Sequence, residues 1–409
     1  MGTAHSEPTP AQKTIPPSLL DGLTFSGFAQ IDYLRLDRSF DELDDGTGEP
    51  LNENRFTIRR ARLRMDKTWN HFGLTSITEL LSGDKVQQVG LEALASLGSL
   101  DDNDASPLVF RAGLFPVPFG YESYNQPAPN RFFGERTLFV ESFVPGRFDL
   151  GAALSGSLLG FDWIVAIQNG EPNGSPFAFD DPNDAKDISA RVQFHSDLWK
   201  DTRLSIGTSF LRGEGFSPGT EPTKDSFEWR DLNEDGRVLP SELIPIPGAS
   251  GRPSQNFDRF GVGADFQLTT QFPYLGDAFI YGEFAFGSNL DRGVAPADPT
   301  LLGRDQRGFG AYIAWVQEFS ERFTLGLRFE HYDPNMDALE LAGGITVVSE
   351  QKFNTLTSGL AYNTHLMGGA RARVLAEYEL QDNRLGRDDT GRPANIDNDT
   401  FRLRFEVRY

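Results

Sequence analysis

The sequence predicts an all-β protein, a transmembrane antiparallel β-barrel of about sixteen strands with short periplasmic turns and long extracellular loops. About sixteen segments of ten or more residues alternate apolar with polar side chains, from residue 23 to the last of the 409 residues. The connections between them alternate between short and long. No apolar run approaches the roughly 18 residues of a spanning helix, whereas a barrel strand needs only about ten residues of alternating polarity.

The alternation is clearest in six segments, and it indicates strands with one apolar and one charged face. These segments are 60–65, 188–195, 257–268, 323–331, 370–380 and 401–409. In the last one, Phe405 and Val407 point to one side while Arg404 and Glu406 point to the other.

The connections predict which side of the membrane each strand end faces. Short turns fall near 69–70, 158–159, 197–200, 320–321 and 366–368. Long, acidic, Gly/Pro-rich loops fall near 38–53, 116–147, 170–186, 213–255, 288–307, 333–351 and 382–398. Outer-membrane barrels sort their connections in this way, and an even strand count returns both termini to the periplasm. Segment 98–106 departs from the pattern because it is long for a periplasmic turn.

Composition excludes several other classes of protein. The chain has 38 Lys and Arg against 59 Asp and Glu, and its net charge of −21 is too acidic for a general nucleic-acid binder. A hydrophobic content of 38% argues against disorder, and the absence of cysteine excludes disulfides and thiolate metal sites. Residues 1–22 form a polar N-terminal extension ahead of a single barrel at 23–409.

The sequence offers little support for catalysis, so we expect no enzyme. The five histidines show no metal-ligand spacing, and no nucleophile motif, phosphate-binding loop or identifiable Ser/His pair is present. His195 and His331 close strands, where a ring at the membrane interface is the expected role.

Three arginines mark a basic wall. Arg60, Arg62 and Arg64 project from one face of one strand, and each would cost about 2–4 kcal/mol on the lipid face near the membrane midplane. They are therefore predicted to line the lumen. The same reasoning predicts further lumenal arginines in other strands, namely Arg191, Arg203, Arg259, Arg328, Arg371, Arg373, Arg402 and Arg404.

Two interpretations of this wall remain open. It concentrates anions if its charge is free, since a charged constriction focuses the potential. Alternatively, lumenal carboxylates neutralise and stiffen it, the candidates being Asp32, Asp265, Glu283, Glu330, Glu377 and Glu406.

A calcium-loop pattern lies inside the long connection 213–255. Segment 231–242 fits D-x-[DN]-x-[DN]-G-x₅-E, in which Asp231, Asn233, Asp235 and Glu242 offer side-chain oxygens and Arg237 its carbonyl. We expect a structural Ca²⁺ site in an extracellular loop, and the alternative is an acidic Asx-type turn.

Several stretches resemble the phosphate-selective porin family (porin O and porin P). They are FTIRRARL at 56–63, RAGLFPVPFGYE at 111–122, Glu135–Arg136 followed by VPGR at 144–147, and the terminal Tyr409. The resemblance implies a sixteen-stranded, trimeric porin whose third loop, 116–147, folds inward. Arg131 and Arg136 would then line the narrowest section; the alternative is an apolar surface loop packed between subunits.

These observations together predict a porin of the bacterial outer membrane that passes small hydrophilic solutes with a modest anion preference. Its partners would be outer-membrane lipid and lipopolysaccharide, small anionic or neutral solutes and two further copies of the chain, but no nucleic acid. The family's lysine-rich phosphate ladder has no counterpart, because these strands use Arg instead. The alternative function is a structural barrel that acts through a protein partner at the cell surface.

Overall fold

The computed structural model describes most of the chain. The described residues are 22–36, 54–82, 85–100, 108–178, 180–231, 234, 236–342, 345–348, 352–383, 386–387, 393–395 and 398–409. The predicted N-terminal extension lies outside them, apart from residue 22.

Sixteen antiparallel strands close into one barrel, which confirms the predicted fold class. In chain order they are β1 Leu23–Leu36, β2 Asn54–Trp69, β3 Phe72–Ser82, β4 Lys85–Ser96, β5 Val109–Pro116, β6 Phe148–Leu158, β7 Phe161–Gln168, β8 Asp187–Trp199, β9 Thr202–Ser217, β10 Gln255–Phe272, β11 Gly276–Ser288, β12 Arg307–Glu318, β13 Phe323–Asp333, β14 Phe353–His365, β15 Arg371–Asn383 and β16 Thr400–Arg408. Each strand pairs with its sequence neighbours, and the barrel closes where Phe28 of β1 faces Arg408 of β16. The closure leaves no strand edge unpaired.

Two connections differ from the simple alternation of short and long. Only residues 83–84 join β3 to β4 on the long-loop side, where the pattern predicts a long loop. Twelve residues, 97–108, join β4 to β5 on the short-turn side, so the unusual length predicted near 98–106 is real.

The predicted loop 213–255 begins too early, because β9 continues to Ser217 and β10 already starts at Gln255. Gly213 and Gly215 in that stretch look like loop residues, yet they pair with Arg259 and Phe257 in the ladder. The loop itself contains a hairpin of two strands, Ser226–Trp229 and Leu243–Ile246. Two-stranded hairpins also occur in the loops after β13 and β15.

Burial is inverted relative to a soluble protein. Charged groups such as Asp32, Arg404 and Glu406 are fully buried inside the barrel. Large apolar side chains stand on the outside instead, for example Phe284 and Ile313, which are 54% and 52% exposed. An apolar exterior around a charged interior is the arrangement that a lipid bilayer stabilises.

Aromatic side chains are exposed at the short-turn end of the barrel. Trp69, Trp199 and Tyr274 lie in or beside short turns, and the terminal Tyr409 is 75% exposed. This placement is typical of an aromatic girdle at a membrane interface. No helix among the described residues is long and apolar enough to cross a membrane.

We expect Ile313→Arg to lower the free energy of unfolding by about 2–4 kcal/mol, because Ile313 lies on the outer face of β12 and the arginine would enter the hydrocarbon. Urea unfolding in lipid vesicles measures the change. Ile313→Leu is the matched control and should stay within about 1.5 kcal/mol of the wild type. Equal stability of the Arg and wild-type proteins would place this face away from lipid.

Candidate functional site: a loop inside the barrel

The connection between β5 and β6 lies inside the barrel, hydrogen-bonded to inward-facing side chains of the wall. It contains two short helices, α1 (Tyr121–Tyr124) and α2 (Leu138–Phe143), with a 3₁₀ turn at Ala128–Asn130 between them. Residues 117–147 are called the internal loop below. Its phenylalanines are buried, with Phe133 and Phe139 only 2% and 1% exposed, so they do not form an apolar outer surface between subunits.

Glycines in the barrel wall leave the space that the phenylalanine rings of the internal loop occupy. A Cβ atom on Gly310 of β12 would lie 2.1 Å from the ring of Phe139, and one on Gly326 of β13 would lie 2.2 Å from the ring of Phe132. Only residues without a side chain leave room for these rings. The position of the loop therefore depends on glycines that sequence alternation alone treats as neutral.

Wall carboxylates hold the backbone amides of the loop. Glu283 on β11 accepts hydrogen bonds from the amides of Tyr121 and Glu122, each at 3.1 Å. Glu377 on β15 accepts one from Gly134 at 2.9 Å. Glu330 on β13 likewise accepts from the amides at the start of α2. Buried backbone groups need such partners, and bonds to charged acceptors are the stronger kind.

Wall arginines hold the loop carbonyls in the same way. Arg328 donates to the carbonyl of Glu135 at 2.9 Å, and Arg373 donates to that of Arg131 at 2.8 Å. Arg404 donates to the carbonyl of Gly134 at 2.6 Å. The loop is thus bonded to charged side chains through both its donors and its acceptors.

Glu135 is the main ionic contact between the internal loop and the basic wall. Its carboxylate accepts from Arg59 at 2.7 and 2.9 Å, from Arg60 at 2.9 Å and from Arg404 at 3.0 Å. Burial alone would raise the pKa of Glu135, but Arg60 and Arg59 hold it well below its usual range. The carboxylate therefore stays ionised and offsets part of the charge of β2.

The three arginines on β2 each have a carboxylate partner. Arg60 binds Glu135, Arg62 binds Glu79 at 2.6 Å, and Arg64 binds Asp66 at 2.6 Å. Arg64 is nonetheless 45% exposed at its side chain, and the neighbouring Arg59 is 44% exposed. The carboxylates therefore neutralise the three arginines at least in part, while the side chains of Arg59 and Arg64 remain accessible.

Most of the other predicted lumenal arginines are also paired, and these pairs are buried. They are Arg191 with Asp265, Arg373 with Glu406, Arg402 with Glu377 and Glu379, and Arg404 with Asp32. On the internal loop, Arg136 binds Glu141 at 2.8 Å. Glu283 and Glu330 form no such pair within 4.0 Å among the described residues; they bind loop amides instead, a role that strand alternation could not reveal.

Arg131 differs from Arg136 because no carboxylate lies within 4.0 Å of it among the described residues. It is 2% exposed, and its Nε and Nη1 atoms have no hydrogen-bond partner. Burial, Arg60 and Arg136 lower the pKa of Arg131 to about 9, which leaves the group charged at neutral pH. It adds a positive charge that Glu135 and Glu122 stabilise only from beyond ion-pair distance.

The structure brings together a serine, a histidine and an aspartate that sequence reasoning did not connect. On neighbouring strands, His195 contacts Ser205 Oγ through Nδ1 at 2.7 Å and Asp162 through Nε2 at 2.8 Å. His195 thus bonds to side chains of both adjoining strands, and its role as an interfacial ring stays a prediction. The ladder uses the backbone amides around Ser205, so they offer no oxyanion hole.

The predicted calcium loop is described only in part, since Asn233 and Asp235 lie outside the described residues. Asp231 accepts from the amide of Gly236 at 2.8 Å, in a turn where Gly236 has a φ of 69°. Glu242 is buried and accepts from Trp229 Nε1 at 3.2 Å and from the amide of Leu239 at 3.3 Å. These contacts also fit the alternative of an acidic turn.

No protein-family model matches the sequence, and a comparison with curated proteins finds no match. Solved structures do match. The outer-membrane channel DcaP of Acinetobacter baumannii is 10% identical over 95% of this chain and 97% of its own, with a TM-score of 0.54. An anion-selective porin from Comamonas acidovorans is 10% identical over 95% and 98%, with a TM-score of 0.52.

The trimer form of OmpT, an outer-membrane protein of Vibrio cholerae, is 11% identical over 95% of this chain and 99% of its own, with a TM-score of 0.51. The likeness to these three proteins is one of fold, and it extends over nearly the whole chain. It confirms an outer-membrane type of β-barrel, while the closer resemblance to the phosphate-selective family stays a prediction.

We expect Gly310→Val to displace the internal loop, because the new side chain would occupy the space of the Phe139 ring. Limited proteolysis of the folded barrel should then cut the loop faster than in the wild type. Ala311→Val, on the outer face of the same strand, is the matched control and should leave the cleavage rate unchanged. Equal protection of Gly310→Val and wild type would show that the wall glycine does not position the loop.

Proposed function

We propose that this protein is a porin of the bacterial outer membrane, a passive channel for small hydrophilic solutes with a modest anion preference. The observation that carries the proposal is the closed barrel with an apolar exterior, a charged interior and a loop folded inside it. Such a loop narrows the lumen of a channel and leaves the barrel strands paired as before. It therefore determines the size and charge of the solutes that can pass.

The anion preference rests on charge that the carboxylates leave uncompensated. Arg131 has no acidic partner within 4.0 Å among the described residues, and Glu135 is shared by Arg59, Arg60 and Arg404, of which Arg404 also binds Asp32. The lumen beside β2 therefore carries a local excess of positive charge in a chain whose net charge is negative. The preference is modest because most of the other guanidiniums are neutralised.

Assembly and location are proposed with the same function. The exposed apolar exterior supports contact with outer-membrane lipid and lipopolysaccharide, and the fold shared with a protein known in a trimer form supports a homotrimer. A structural barrel acting through a surface partner is the rival proposal. Planar-bilayer recordings separate the two, since stepwise ohmic conductance supports the porin and electrical silence supports the structural barrel.

Two sets of substitutions should shift ion selectivity in opposite directions. Replacing Arg60, Arg62 and Arg64 with Ser leaves Glu79 and Asp66 without their arginine partners, so the chloride-to-potassium permeability ratio should fall. Glu135→Gln removes the shared counter-charge of Arg59 and Arg60, so the ratio should rise. Reversal potentials across a salt gradient measure both, most clearly at low salt where screening is weak.

The matched control for Glu135→Gln is Glu228→Gln, which removes the same charge from the extracellular hairpin. It should leave the reversal potential close to that of the wild type. Shifts of equal size in the two variants would mean that net charge, and not the site beside β2, determines the selectivity.

We also propose calcium binding at segment 231–242. Extracellular calcium is abundant enough for a site with a Kd of about 10⁻⁴–10⁻³ M to be filled. Titration calorimetry on chelator-treated protein should show weaker binding for Asp231→Asn and Glu242→Gln than for Glu234→Gln, whose side chain falls at a non-ligand position. Because Glu242 also bonds Trp229, the Asp231 variant is the cleaner test. No calcium heat at millimolar concentration would leave an acidic turn.

A further inference from the structure

A cavity of about 540 Å³ lies beneath the internal loop, on the short-turn side of the barrel. Gln126, Asn130 and Phe132 of the loop contribute to its lining, and the rest comes from the walls of β11 to β16. Its volume falls in the range of small-molecule sites in proteins. The charges in its wall are segregated, with acids on one side and arginines on the other.

The acidic side carries two carboxylates directly opposite each other. Glu318 of β12 lines the cavity and pairs in the ladder with Asp277 of β11. Glu321, in the next turn, lines the same region. Like charges in directly opposed positions destabilise a sheet, and among the described residues no basic group lies within 4.0 Å of these three carboxylates.

The basic side repeats the arrangement with the opposite sign. Arg371 of β15 pairs in the ladder with Arg408 of β16, and both line the cavity. Arg373 stands beside them, 6% exposed, with Nε and Nη2 lacking hydrogen-bond partners. Glu406 is the one carboxylate among the described residues within 4.0 Å of this group, 3.1 Å from Arg408 and 3.6 Å from Arg373.

The two charged sides are separated by a distance that a short peptide can span. Three steps between neighbouring strands lead from β12 to β15, so at about 4.8 Å a step the backbones of the strands that carry Glu318 and Arg371 are about 14 Å apart along the wall. Asn363 and Thr324 lie between the two sides and offer hydrogen bonds. Phe279 and Tyr281 stack at 4.8 Å and add an apolar surface.

We propose that this cavity binds short linear zwitterions, namely peptides of about four residues. The carboxylate of the peptide binds Arg371 and Arg408, and its ammonium group binds Glu318 and Glu321. An extended peptide of four residues reaches at most about 14 Å, which matches the separation of the two sides. Both like-charge pairs are relieved when the peptide is bound. The inference rests on the proposed function only for the route by which the peptide arrives.

Titration calorimetry of the detergent-solubilised protein with tetraglycine tests the site without requiring conduction. The wild-type protein should bind tetraglycine, and the double variant Arg371→Gln/Arg408→Gln should bind about tenfold more weakly, because it loses charge-assisted hydrogen bonds. Glu318→Gln should weaken binding in the same direction. The matched control is Arg203→Gln, an exposed arginine at the start of β9 that does not line the cavity, and it should bind like the wild type.

Peptide controls separate charge recognition from general affinity. Glycine, which is too short to span the cavity, and tetraglycine blocked at both ends should bind far more weakly than tetraglycine. Equal binding of the blocked peptide, equal binding by the double variant, or no heat with the folded wild type would overturn the proposal. Bilayer recordings report on the porin function separately, since channels can conduct without binding tetraglycine and the protein can bind it without conducting.

Discussion

The structure depends on how the amides and carbonyls of a peptide backbone find hydrogen-bond partners inside a barrel. The internal loop pairs with no strand of the barrel, and the backbone of the surrounding wall is engaged in the strand ladder. Carboxylates from Glu283, Glu330 and Glu377 accept its amides, while Arg328, Arg373 and Arg404 donate to its carbonyls. Since buried backbone groups without partners are strongly destabilising, these side chains fix the loop in the channel.

This requirement changes how the charges of the lumen are interpreted. A row of arginines facing inward suggests an anion pathway, yet a guanidinium that holds a carbonyl and a carboxylate at once is mainly structural. Arg404, bonded to Asp32 and to Gly134, is such a group. The cations that are exposed, such as Arg59 and Arg64, or that lack a direct carboxylate partner, such as Arg131, form a smaller set, and the proposed anion preference rests on it.

The sequence predicted the barrel well because strand alternation is local, and each strand carries its own signal. Contacts inside the lumen are not local: Arg404 and Asp32, which bind each other, stand 372 positions apart. Alternation shows that both side chains face inward but not which of them meet. For the same reason it did not identify Glu135 as the shared partner of three arginines, and it did not connect His195 with Asp162 and Ser205.

The charged side chains that do not bond the internal loop lie elsewhere, close to the short turns. The paired, buried groups surround the internal loop, whereas Arg371 faces Arg408 and Asp277 faces Glu318 close to the short turns. Neither like-charge pair supports the loop, and each opposes the stability of the ladder in which it lies. Of these four groups, Arg408 alone has an oppositely charged partner within 4.0 Å among the described residues, namely Glu406, so the charged ends of a solute can bind at this end of the barrel.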